Sequence, residues 1–305
     1  MPTAKLPVLD APSTAERLPW PALVHEIGAL LADSKVEVPP RLVQALPGGG
    51  SLFVMPALDG SIAVTKLITY TPANAGTGRP AIQGDVVLFD IATGQRQLVL
   101  DGPTVTARRT AAVSAFAATR LAPRTDGPML IVGAGVQGKA HLEVFSEVLG
   151  VREFLVLSRS AASGDALVAH ARSLGLQARS VADANAALAD CALAVTCTPA
   201  SQVVLSALPR GDTFIAAVGA FTPKMVELGA DLCRHFANKG SILMDTPDAV
   251  HEAGDLLQAG LDTTRFRTLS DVVRQDMKKP AGPVLFKSCG WAGWDLAAAR
   301  TAIRN

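Results

Sequence analysis

The sequence predicts a two-domain α/β protein: a doubly wound parallel sheet joined to an α+β domain built from the N-terminal segment and a C-terminal helix. Three observations carry that expectation. The run Met129-Leu-Ile-Val-Gly133-Ala-Gly135-Val136-Gln137-Gly138-Lys-Ala-His141 takes an apolar strand into a G-x-G-x-x-G turn that opens a helical pattern, the arrangement of a Rossmann unit. Further short apolar runs at 154–157, 193–198, 213–219 and 241–245 are each followed by polar or helical sequence, as parallel strands with crossover helices are. Before the glycine turn, strand-like runs are separated by turn residues at the spacing of an antiparallel meander.

Taken in order, residues 20–31 have helical periodicity, and Pro39-Pro40 interrupts the chain ahead of a short helix expected from Arg41. Strands are expected over 51–55, 61–70 and 84–90, parted by Asp59-Gly60 and by a loop rich in Pro, Asn and Gly. A fourth strand, 97–100, follows the Thr93-Gly94 turn. Residues 107–121 read as a small-residue helix with Arg108 and Arg109 in its first turn, and Pro123-Arg-Thr-Asp-Gly127-Pro128 reads as a hinge. The last segment, from Ser288 to Arg300, reads as an amphipathic helix that returns to the first domain. The expected division is therefore 1–121 with 287–305 against 122–286. No internal repeat is visible.

Composition narrows the function classes. The 305 residues are 49% hydrophobic and 18% charged with a net charge of +1, which describes a globular protein and gives no electrostatic footprint for nucleic acid or an anionic membrane. Met1-Pro-Thr-Ala-Lys-Leu-Pro lacks the apolar core of a signal peptide, and no apolar run approaches the length of a membrane span, so a cytoplasmic location is expected. Cys191, Cys197, Cys233 and Cys289 show no C-x-x-C spacing; free thiols are expected, and no metal site.

The glycine turn points to a nicotinamide dinucleotide. Gly133 permits the tight turn, Gly135 lets backbone approach a pyrophosphate, and Gly138 lets the helix pack close to the strand, with Val136 and Gln137 at the helix entrance. About 20 residues on, where an acid would read a ribose hydroxyl, stand Ser158-Arg159-Ser160. A guanidinium and two hydroxyls suit a 2′-phosphate, which favours NADPH while leaving NADH possible; the other reading of Arg159 is a solvated loop arginine. Ligands of doubly wound sheets sit at the carboxyl ends of strands, which makes Thr196, Thr198, Gly219 and Ala220 candidates for facing the cofactor. For the two threonines, satisfying local backbone is an equal alternative.

The first domain concentrates cations at Arg41, Lys66, Arg108 and Arg109. Lys66 sits among Ala63, Val64, Leu67 and Ile68, so it is either on a solvent face or kept inside by an anion. Arg109 is either a helix-surface ion-pair partner or a carboxylate clamp, for which its planar fork is suited.

The order of Pro40-Arg41, Val54-Met-Pro-Ala57, Lys66-Leu-Ile-Thr-Tyr-Thr-Pro72-Ala-Asn74, Arg109-Thr-Ala-Ala-Val-Ser114, the glycine turn, Gly219-Ala-Phe-Thr-Pro223-Lys-Met-Val-Glu227 and Phe286-Lys-Ser288-Cys289-Gly290 resembles the ornithine cyclodeaminase/μ-crystallin family over nearly the whole chain. The resemblance implies a homodimer, with a substrate and dimerisation domain beside a Rossmann domain and the active site between them. By position, Arg41, Lys66 and Arg109 match residues that hold a substrate carboxylate, and Ser288 and Cys289 match a pair lining cofactor and substrate. One position departs from the cyclodeaminases. Where they carry an acid that exchanges protons with the substrate amine, this chain has Phe221, which cannot move protons. The Ala-Phe-Thr-Pro pattern resembles the ketimine reductase branch, which reduces 1-pyrroline-2-carboxylate to L-proline and 1-piperideine-2-carboxylate to L-pipecolate. The family also contains ornithine cyclodeaminase, an alanine dehydrogenase and hormone-binding μ-crystallins, so those activities, and ligand binding without turnover, are the alternatives. A substitute acid, Glu227 or Asp85, is the alternative reading of the departure at Phe221.

Overall fold

A computed structural model describes residues 6–74, 77–199 and 202–305; the stretch Met1-Pro-Thr-Ala-Lys, read above for a leader, lies outside the described residues. The chain divides into two compact units, one running to Arg109 and including Trp291–Asn305, the other Thr110–Gly290. The first contains α1 (Ala11–Glu16), α2 (Trp20–Ala32), β1 (Leu42–Ala45), β2 (Ser51–Leu58), β3 (Ile62–Tyr70), β4 (Ile82–Asp90) and β5 (Arg96–Asp101), and α3 (Gly102–Leu121) starts in it. The second contains β6 (Met129–Val132), α4 (Val136–Leu149), β7 (Glu153–Leu157), α5 (Ala161–Ser173), β8 (Gln177–Ser180), α6 (Ala184–Leu188), β9 (Leu193–Thr196), β10 (Phe214–Ala217), α7 (Ala230–Lys239), β11 (Ser241–Met244), α8 (Gly254–Gln258), β12 (Arg267–Thr268), α9 (Leu269–Arg274) and β13 (Val284–Lys287). Helix α10 (Ala292–Arg304) belongs to the first unit.

In the first unit five strands form an antiparallel meander in the order β1-β2-β3-β4-β5. Period-two alternation turns Ile62, Val64, Lys66 and Ile68 of β3 to the buried face, where α10 packs on β2 and β3. Arg300 of α10 staples this unit, its guanidinium lying 2.7 Å from Asp33, 2.6 Å from Asp59 and 3.4 Å from Glu26. The short helix expected from Arg41 is not formed: Leu42–Ala45 is the edge strand β1, paired antiparallel to β2, because cross-strand bonds outweigh the weak helical pattern of four residues.

The second unit is a parallel eight-stranded sheet in the order β12-β11-β13-β10-β9-β6-β7-β8. Read from β8, the run β8-β7-β6-β9-β10 has the 3-2-1-4-5 order of a dinucleotide fold, with the switch point between β6 and β9, and the last strand in the chain, β13, takes the sixth place ahead of β11 and β12. Strands β6, β9, β10 and β13 are buried throughout, which is why β6, β9 and β10 read as apolar runs. Three strands escape the sequence reading. β8 is a polar edge strand, Gln-Ala-Arg-Ser, β12 has only two residues, and β13 carries Lys287 inside the core. The C-terminal helix begins at Ala292, not Ser288; Ser288, Cys289 and Gly290 form a turn after β13, with Gly290 at φ 88°. The compact units part inside α3, between Arg109 and Thr110, whereas the expected division follows residue 121. Among the described residues no helix is long and apolar enough to cross a membrane, no cluster of metal-ligating side chains occurs, and the four cysteines are free thiols.

Candidate active site

The residues matched to substrate binding lie in the first unit. Lys66, on the inward face of β3 between Met55 and Val86 in register, is 1% exposed. The anion that keeps it inside belongs to the protein: its Nζ lies 3.0 and 2.8 Å from the two carboxylate oxygens of Asp295, in the first turn of α10 and fully buried. Arg109 Nε is 3.3 Å from the same carboxylate yet makes no hydrogen bond, so a buried guanidinium donor remains open to an acceptor. Two buried cations thus face one carboxylate. Burial and the charges of Arg109 and Arg41 pull the Lys66 pKa down to about 8, while Asp295 opposes them. Arg41 therefore lies close enough to act on Lys66, from the segment preceding β1. Such a group favours an arriving carboxylate, which would complete the Arg109 bond and balance the net positive charge.

Asp295 was not singled out in the sequence. Its signal was a lone acid in an otherwise small and apolar helical segment, Trp291-Ala-Gly-Trp-Asp-Leu-Ala-Ala-Ala. Asp85 is not a substitute acid for this group: it pairs with Leu67, so alternation sends it to the exposed face of the sheet, opposite Lys66.

The residues matched to cofactor binding lie in the second unit. Gly133 has φ 116°, and a Cβ there would meet the Cys197 carbonyl oxygen at 2.9 Å; at Gly138 it would meet the Gly133 carbonyl oxygen at 2.0 Å. These two glycines are required by the fold. Gly135 differs: it is the N-cap of α4 with no side-chain capping bond, and a Cβ on it would face open space. An uncapped helix N-terminus beside an open approach is what a pyrophosphate requires, and Val136 and Gln137 begin that helix. Ser158 is half-buried after β7 and Arg159 is exposed beside it. The hydroxyl oxygen of Ser160 accepts from Ser163 N at 3.4 Å as the N-cap of α5, which leaves its proton for another acceptor.

Glu227 organises the strand ends. Its carboxylate accepts from Thr198 N at 2.7 Å, Thr198 Oγ1 at 2.8 Å, Thr196 Oγ1 at 3.1 Å, Gly219 N at 2.7 Å and Ala220 N at 3.2 Å. Thr196 and Thr198 thus spend their hydroxyl protons here, and their contribution is the position of the strand end rather than a free donor. A Cβ at Gly219 would lie 2.5 Å from the Glu227 carboxylate, so only glycine admits it. Burial pushes the Glu227 pKa up and the Lys287 charge pulls it back. Three backbone N–H donors and two threonine hydroxyls make Glu227 the acceptor that fixes the strand ends. Beneath it, fully buried Lys287 bonds Asp255 at 2.7 Å, and Asp255 accepts from Glu227 N and Leu228 N at 2.6 and 2.9 Å.

Ser288 and Cys289 are set by a second buried carboxylate. Asp245 Oδ2 accepts from Ser288 Oγ at 2.8 Å, Cys289 N at 3.1 Å and Gly290 N at 2.8 Å. Burial drives the Cys289 thiol pKa upward, so it is not a thiolate nucleophile. Phe221 is half-buried and packs against the apolar core of this unit. Each unit thus carries one half of the chemistry read from the sequence: carboxylate-seeking cations in the first, a dinucleotide turn and strand ends in the second.

Over 303 residues the chain is 36% identical to Delta(1)-pyrroline-2-carboxylate reductase 2 of Burkholderia ambifaria, covering 98% of this chain and 96% of that one. It is 36% identical over 301 residues to a Delta(1)-pyrroline-2-carboxylate/Delta(1)-piperideine-2-carboxylate reductase of Azospirillum brasilense, covering 97% and 95%. A solved structure of Thermococcus litoralis Delta(1)-pyrroline-2-carboxylate reductase, in complex with NADH and L-proline, has the same fold with a TM-score of 0.89 at 24% identity, covering 98% of this chain and 97% of that one. The family model for ornithine cyclodeaminase/mu-crystallin matches residues 23–305, and the chain belongs to that family.

Proposed function

We propose that this protein reduces cyclic ketimine carboxylates, 1-pyrroline-2-carboxylate to L-proline and 1-piperideine-2-carboxylate to L-pipecolate, with NADPH preferred over NADH. The observation that carries the choice among family activities is the pairing of Phe221 with a saturated Glu227. Cyclodeamination needs a proton carrier at the substrate amine, whereas a preformed iminium needs only to be held and given a hydride. Here Phe221 cannot carry protons, and the nearby acid of its own unit is committed to five donors. The relatives named as pyrroline-2-carboxylate reductases support the same reading.

Arg41, Lys66 and Arg109 hold the substrate carboxylate, Arg109 through its open Nε donor. The open face at Gly135 and the amides at Val136 and Gln137 hold the pyrophosphate, and Ser158, Arg159 and Ser160 hold the 2′-phosphate. When bound, the reduced nicotinamide supplies the hydride. Gly219, Thr198, Ser288 and Cys289 frame the nicotinamide half, fixed from behind by Glu227 and Asp245. The free thiols fit a reducing, cytoplasmic setting.

Following NADPH absorbance tests the reading: the protein should consume NADPH with 1-pyrroline-2-carboxylate or its six-membered homologue, and release no ammonia from L-ornithine with either oxidised cofactor. Robust ammonia release would reassign it as a cyclodeaminase. NADPH binding without turnover of any imine would reassign it as a ligand-binding protein.

A further inference from the structure

The first unit buries an acid that neither the sequence reading nor the proposed reaction uses. Asp295 is fully buried on α10, accepts from Lys66 Nζ at 3.0 Å and lies 3.3 Å from Arg109 Nε. Its Oδ2, at 2.8 Å from Lys66 Nζ, has no hydrogen-bond geometry to any donor, so the pair is held by charge as much as by directed bonding. Lys66 projects from the sheet into surroundings without water access, and the cations acting on it come from α3 (Arg109) and the segment before β1 (Arg41). Both oppose its protonation. The one group acting in the other direction is the Asp295 carboxylate. The three residues Lys66, Arg109 and Asp295 together carry one net positive charge, two cations less one anion.

We propose that Asp295 is the positioning residue of the cation cluster: it keeps Lys66 an ammonium ion and orients it with Arg109 as a pair that receives the substrate carboxylate. The inference rests on the proposed reductase reading for its substrate, but its physical content, a carboxylate controlling the protonation of Lys66, belongs to the ligand-free protein. Without Asp295, a lysine in an apolar face between two arginines would release its proton, and the cluster would lose one of its charges at neutral pH.

The test is a titration of protein labelled with 13C at the lysine ε-carbon, in which the Lys66 resonance is the one that disappears in Lys66→Arg. In the unaltered protein its midpoint is expected near 8, and in Asp295→Asn about one to three units lower. The alkaline limb of kcat/KM for imine reduction should move in the same direction. Deprotonation of the substrate iminium is common to both proteins, so the limb moves by no more than the Lys66 midpoint does. An unchanged Lys66 midpoint in a folded Asp295→Asn protein would overturn the proposal. Should that variant not fold, the unaltered protein decides: a Lys66 midpoint below 7 would overturn the proposal, because Asp295 would then fail to hold the proton at neutral pH, and one at 7 or above supports the role. Absence of imine turnover alongside the shifted midpoint would reject the reductase reading and leave the Asp295 inference standing.

Discussion

Lys66 shows how much one side chain's meaning depends on its face. Its surroundings Ala63, Val64, Leu67 and Ile68 leave solvent and burial both open; in the structure its face carries Ile62, Val64 and Ile68, all buried, while the other face carries Ala63, Thr65, Leu67 and Thr69. The pairing of β3 decides which face is the core. What no local pattern contained was the partner, Asp295, 229 residues away in sequence. Arg159 is the opposite case: it is exposed, and among the described residues no ion pair holds it. Arg159→Asp replaces a phosphate partner by a like charge and removes charged hydrogen bonds worth about 1.5–3 kcal/mol, so NADPH affinity should fall about ten- to a hundredfold while NADH affinity changes little. Equal losses for both cofactors, measured by fluorescence titration, would return Arg159 to a solvated loop.

Among elements, the β6 turn and α4 separate glycines that the fold requires from one, Gly135, that it does not. At Gly138 a methyl group would meet the Gly133 carbonyl oxygen at 2.0 Å, so Gly138→Ala must push α4 off the sheet at an overpacking cost of about 1–3 kcal/mol and lower the melting temperature. At Gly135 the backbone has φ −86° and a methyl group would meet nothing, so Gly135→Ala should melt within about 0.5 kcal/mol of the unaltered protein. It should nonetheless bind NADPH roughly tenfold or more weakly, about 1.4 kcal/mol, because the methyl fills the approach to the helix amides. Full NADPH affinity in Gly135→Ala would remove the pyrophosphate from this turn. β1, β8 and β13 are the elements that sequence patterning misjudged. β1 has too few residues to show a period, β8 is an edge strand with a polar composition, and β13 buries a lysine whose charge is met by Asp255.

For the whole molecule, the outward face of the first unit's sheet is conspicuous. Leu42 and Leu67 are 57 and 46% exposed, and both align with Val54 of β2. This apolar face, together with the homodimer implied by family resemblance, is read as the seat of a second copy of the chain. Leu67→Lys tests it with little risk to the fold, because the cross-strand neighbour Asp85 can pair with the new ammonium while the apolar face gains a charge. Sedimentation should show the unaltered protein as a dimer and the variant shifted toward monomer with unchanged circular dichroism. A monomeric unaltered protein would end the reading.

The sequence by itself determined the fold class, the meander, the dinucleotide turn and the family, because these rest on local patterns and on motif order along the chain: alternation, apolar strand runs, and glycines at fixed offsets. It also brought Lys66 and Arg109 forward as candidates. Only the tertiary structure decided what faces them and what supports the cofactor turn. Asp295 from the last helix, Glu227 across from Thr196 and Thr198 at the end of β9, and Asp245 beneath Ser288 and Cys289 are acids remote in sequence from those groups they hold. The physical reason is common to all three: a buried charge must find its partner in three dimensions, and the partner's position follows from packing rather than from any period or spacing in the chain.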